Sequence, residues 1–174
     1  MDQQLRRRDK AVLLALVVLM VAGAAIAAIT YFTQRADNSF TAMARGQYAL
    51  ARRFYEEEVE TGSPQAINQL ANLHYLGLGT QVNHKTAAQL YLDASSKGFA
   101  AAQLNLGHLY RQGIGVAQDP VRAFGWYGMS DVHGSPWAEQ YMRLTAVEFT
   151  LTPNQISLAK ESWPTLSALV EEGL

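Results

Sequence analysis

The sequence predicts an all-α protein: an α/α solenoid of about three helical hairpins plus a C-terminal capping helix, preceded by one transmembrane helix. Three observations predict it. A 36-residue period runs through the centre of the chain, residues that start and stop helices punctuate each period, and Ala11 to Ile29 is a run of 19 residues without a charge. With no cysteine and a net charge of −1, the chain offers no disulfide framework, no thiolate metal site and no basic footprint, so nucleic acid is not an expected partner.

The N-terminal elements divide by charge and hydropathy. Residues 1–10 form a basic tip, 11–33 the predicted transmembrane anchor and 34–39 a short polar linker. At about 1.5 Å per residue the apolar run reaches across roughly 30 Å of hydrocarbon. Arg6, Arg7, Arg8 and Lys10 precede it and only Arg35 follows closely, which orients the N-terminus to the cytoplasm of a bacterial inner membrane and the rest of the chain to the periplasm. The alternative is a cleaved leader that releases a soluble periplasmic or secreted protein, since Ala22-Gly23-Ala24 and Ala25-Ile26-Ala27 supply small residues after a basic flank. Against cleavage, the run continues past both triplets to Ile29 and ends on Tyr31 and Phe32, the aromatic signature of a membrane interface.

The period then sets the repeat domain, residues 40–163. A shift of 36 places Leu70, Leu73, Gly77 and Gly79 on Leu106, Leu109, Gly113 and Gly115, and carries Ala87, Tyr91 and Gly98 onto Ala123, Tyr127 and Gly134. Ser63-Pro64, Asp119-Pro120, Ser135-Pro136 and Thr152-Pro153 each set a side-chain cap before a proline, whose missing N–H costs nothing at the first helical position. Glycines 77 and 113 close first helices, and glycines 62, 98 and 134 close second helices, because glycine reaches the left-handed conformation of a helix end. The predicted helices run over 40–45, 48–60, 64–76, 84–97, 100–112, 120–132, 136–149 and 153–162, leaving 164–174 as a tail. No hairpin buries its apolar face alone, so the units must stack into one core.

The run from Ala102 to Asp119, "AQLNLGHLYRQGIGVAQD", followed by Ala123, Trp126, Tyr127 and Gly134, resembles the Sel-one-like repeat, a relative of the tetratricopeptide repeat. The resemblance spans roughly Phe40 to Trp163 and is strongest in the two central units. It implies an α/α solenoid that scaffolds protein complexes. Departures fall late in the second helices, where paired alanines are replaced by Ala94-Ser95, Ser130-Asp131 and Glu58-Val59, and in the first unit, which reads as a tetratricopeptide-like half turning at Gly46.

No catalytic, cofactor-binding or metal-binding constellation is expected. His74, His84, His108 and His133 lack the spacing of a zinc pair on one helix face, and His74 replaces Tyr110 of the next unit and should pack between helices. Glu56, Glu57, Glu58 and Glu60 point in different directions around a helix and read as a solvated face. Gly113 and Gly115 end a helix, whereas a phosphate loop opens one. Tyr75, Tyr91, Tyr110, Trp126, Tyr127, Trp137 and Tyr141 are mostly core by their spacing; a cell-wall enzyme built on an unrecognised carboxylate pair is the remaining contrasting class. Tyr75 and Arg111 occupy equivalent repeat positions that the repeat pattern does not need, and are the predicted exposed contacts to a protein partner. The expected function is an accessory or assembly subunit of an inner-membrane or envelope complex.

Overall fold

The structure, a computed structural model, describes residues 18–27 and 38–162. The predicted cytoplasmic tip, the tail 164–174, most of the linker and both ends of the predicted anchor lie outside these residues. Residues 18–27 are helical and exposed, and among the described residues no helix is long and apolar enough to cross a membrane. The predicted transmembrane helix is therefore not found among them.

From Asn38 onward the described residues form α1 (Ser39–Ala44), α2 (Tyr48–Glu60), α3 (Pro64–Leu76), α4 (His84–Ser96), α5 (Ala100–Gln112), α6 (Pro120–Val132), α7 (Ala138–Glu148) and α8 (Pro153–Ser162). Five of these eight starts carry a side-chain cap. Asn38 and Thr41 close a reciprocal capping box, Ser63 accepts from the Ala66 N–H, Asn83 from Thr86, and Asp119 from both Val121 and Arg122. Thr152 and Gln155 cap α8 in the same reciprocal way.

The start of α7 departs from expectation. Ser135-Pro136 does not open the helix; these residues and Trp137 form a turn, and α7 begins at Ala138 without a side-chain cap. The reason is geometric: the Ala138 N–H lies 3.5 Å from the Ser135 carbonyl and that of Tyr141 3.3 Å from Trp137, too slack for a regular first turn. Trp137 consequently stands 60% exposed, a correction to its expected place in the core.

Consecutive helices pack as antiparallel hairpins, α1/α2, α3/α4 and α5/α6, with α7 against α6 and α8 also resting on α6. Fully buried Ala71, Ala87, Ala88 and Ala123 let backbones approach, while Trp126 and Tyr127 fill the space between hairpins. Each large side chain removed from water contributes roughly 2–3 kcal/mol, which one hairpin alone could not realise. Two buried clusters, one around α2 and α3 and one from α3 to α6, share Val59 and Leu90 as bordering side chains, so the core is continuous along the stack.

The glycine pairs do two jobs. Gly77 and Gly113 are left-handed C-caps at φ +69° and +71°. Gly79 and Gly115 hold the loop backbone against the start of the second helix of the preceding hairpin: a Cβ on Gly79 would collide with the backbone of Tyr48 and Ala49, and one on Gly115 with the His84 carbonyl. Positions 48 and 84 are themselves one period apart. The sequence reading identified the helix stops and missed this contact between repeats.

Candidate functional site

The first helices of two hairpins, α3 and α5, and the following α7 bring Tyr75, Arg111 and Tyr141 to one groove of about 310 Å³. Tyr91 from α4 and Asn105, His108, Leu109 and Gln112 from α5 complete its lining. The two predicted contact residues thus sit in the same depression, on neighbouring repeats. Neither is fully exposed, as the sequence reading had it: both are half-buried.

Arg111 is held by its neighbours. Its Nε lies 3.1 Å from Glu148 Oε2 at the end of α7, with side chains 21% and 49% exposed. That Nε is buried and its N–H misses hydrogen-bond alignment, so the contact is an ion pair lacking a directed hydrogen bond. The guanidinium also faces the Tyr127 hydroxyl.

Beneath it runs a polar relay that repeats with the fold. In the first central unit the Tyr91 hydroxyl donates to Asn72 Oδ1 at 2.5 Å. One period later, Tyr127 Oη lies 2.8 Å from His108 Nδ1. Burial, with a smaller contribution from Arg111, lowers the His108 pKa to about 4, while burial raises that of Tyr127, so at neutral pH an uncharged imidazole shares a hydrogen bond with a protonated tyrosine hydroxyl. The His108 ring meets Tyr141 edge-on at 4.4 Å between centroids, and Tyr141 stacks on Tyr127 at 5.5 Å. Gly107 makes room: a Cβ there would strike the Tyr127 ring, whereas Ala71 occupies the same position one period earlier. This relay was missed from sequence, although the pairing of Asn72 with His108 and Tyr91 with Tyr127 under the 36-residue shift was a signal for it.

The other singled-out residues take structural places. His74 is half-buried with its pKa lowered by burial and then by Arg52, and His84 packs against the Tyr75 ring at 5.1 Å. His133 is exposed, with Nδ1 3.0 Å from Gln103 Oε1 and 2.9 Å from the Met129 carbonyl. In the acidic run Glu56 pairs with Arg52, Glu58 accepts from the Ser39 hydroxyl at 2.7 Å, and Glu57 and Glu60 are exposed. Among the described residues no group of three or more His, Asp or Glu side chains could hold a metal ion.

Comparison with known proteins gives a consistent relationship. The Sel1 repeat model matches residues 64–99 and 100–130, that is, α3 through most of α6. A segment of 84 residues, 48% of this chain, is 33% identical to Protein sel-1 homolog 2 of Rattus norvegicus, of which it spans 12%. Among solved structures, c5321, a protective antigen present in uropathogenic Escherichia coli strains displaying an SLR fold, superposes with a TM-score of 0.64 at 21% identity, covering 80% of this chain and 33% of that one. The Sel1 repeat protein from Oxalobacter formigenes superposes with a TM-score of 0.52 at 32% identity, covering 54% of this chain and 71% of that one. With the repeat matched in sequence, in period and in fold, the chain belongs to the Sel1 repeat family.

Proposed function

We propose that this protein is a membrane-anchored periplasmic interaction scaffold, an accessory or assembly subunit of an inner-membrane or envelope complex, and that it binds its protein partner through the groove containing Tyr75 and Arg111. The observation that carries the reading is that groove: α3, α5 and α7 bring aromatic rings and a guanidinium together, the side chains that dominate protein interfaces. Solenoids of this architecture scaffold protein interactions, and no catalytic role is assigned to this one. The anchor is inferred from the 19-residue apolar run and its basic flank. The small-residue triplets within that run keep a second reading in view, a cleaved soluble binding protein.

Tethering and binding separate experimentally. A tethered scaffold works through effective concentration at the membrane. A chain lacking residues 1–33 and exported by another leader is therefore expected to fold as a helical solenoid, co-purify poorly with its membrane complex and fail to restore the cellular phenotype at native abundance. Full activity of that soluble chain, together with a mature native mass beginning near Ala25 or Ala28, would establish the cleaved form instead.

A further inference from the structure

The Arg111–Glu148 pair bears on what the groove takes. Arg111 is the sole charged residue among those that line it; the remainder are hydroxyls, amides, a neutral imidazole and apolar surface. The guanidinium is buried at Nε, faces the Tyr127 oxygen, and meets a carboxylate that is half exposed and poorly aligned. Glu148 is the last residue of α7, outside the α5/α6 hairpin that carries Arg111, and its half-exposed carboxylate meets the buried Nε without an aligned hydrogen bond, so a better-aligned carboxylate can take its place at little cost.

Building on the interaction-scaffold reading above, we propose that Glu148 stands in for the ligand: the groove binds an extended segment of a partner protein whose acidic side chain displaces Glu148 from Arg111. An apolar neighbour in the segment lies against Tyr75 and Tyr141, and the exposed Gln112 amide bonds its backbone. The incoming carboxylate gains what Glu148 lacks, an aligned two-pronged contact with the guanidinium. The gain is modest because one pair replaces another, and specificity comes from the flanking aromatic contacts.

The test is an array of random 12-residue peptides probed with the full chain in detergent. Bound peptides should be enriched in Asp or Glu next to an aromatic or aliphatic residue, and changing that acid to its amide should weaken binding about threefold to fivefold, the difference between an aligned pair and the Glu148 pair that re-forms. Glu148→Gln should strengthen binding roughly threefold to tenfold by removing the competitor. Arg111→Lys, which keeps the charge and loses the fork, should weaken it, with helicity unchanged in both variants. Binding without acidic enrichment, or a Glu148→Gln protein that binds the same peptides equally or less well, overturns the proposal. The wider reading fails separately, when native partner capture is indifferent to Tyr75 and Arg111.

Discussion

Gly115 and Gly46 form a matched pair, because both sit at φ near +70° and differ in what surrounds them. A Cβ on Gly46 meets nothing within 4 Å, whereas one on Gly115 collides with the His84 carbonyl at the start of α4. Alanine at either site incurs the left-handed penalty of about 1–2 kcal/mol, partly offset by the reduced entropy of the unfolded chain, so Gly46→Ala should cost about 1 kcal/mol. Gly115→Ala adds a backbone collision of the overpacking kind, about 1–3 kcal/mol, for a total of about 2–4 kcal/mol. For a folded unit of this size each kcal/mol lowers Tm by roughly 3–5 °C, which separates the variants by about 3–15 °C. The assay is thermal and urea unfolding followed by helical circular dichroism. Because Gly115 joins the α5/α6 hairpin to the α3/α4 hairpin, its variant should also broaden or split the transition as neighbouring repeats uncouple. Equal midpoints for the two alanine variants would refute the claim that the second glycine of each pair serves contact between repeats.

Other changes should read out the caps and the relay. His108, lowered to about 4 from its ordinary 6.5, contributes stability that is fully present above pH 6.5 and lost as pH falls through 4; allowing for its partial solvation the loss is about 2 kcal/mol. His108→Asn, which copies the Asn72 acceptor of the preceding repeat and leaves Tyr127, Tyr141 and Arg111 in place around it, should flatten that pH dependence in urea titrations at pH 7 and pH 4 while preserving most of the stability. Asp119→Ala removes the acceptor for the Val121 and Arg122 N–H groups and should cost about 1–2 kcal/mol, most of it recovered by Asp119→Asn, as measured by chemical denaturation.

What was legible in the sequence was punctuation and period. Ser63-Pro64 and Asp119-Pro120 open helices where expected, because cap, proline and the following apolar spacing act within a few residues of one another. Ser135-Pro136 failed for want of the same local agreement: its turn is slack, no side chain caps α7, and Trp137 falls outside the core. The period put Tyr75 and Arg111 at equivalent positions, but neither their shared groove nor their partial burial followed from it. Arg111 is occupied by Glu148 from α7, a contact between residues far apart in the chain whose geometry depends on how α7 docks. The His108 relay was missed: the 36-residue shift pairs Asn72 with His108 and Tyr91 with Tyr127, but the hydrogen bonds and the protonation state depend on burial that only the packed structure defines.

The central claim, that the groove between α3, α5 and α7 binds the partner, is tested most directly by capture of native membrane complexes with the full chain and with Tyr75→Ala and Arg111→Ala. Both variants should retain wild-type helicity and lose most of the co-purifying subunits, by about tenfold for a substitution at the centre of an interface. Undiminished capture by both folded variants would contradict the claim and place the binding surface elsewhere on the solenoid.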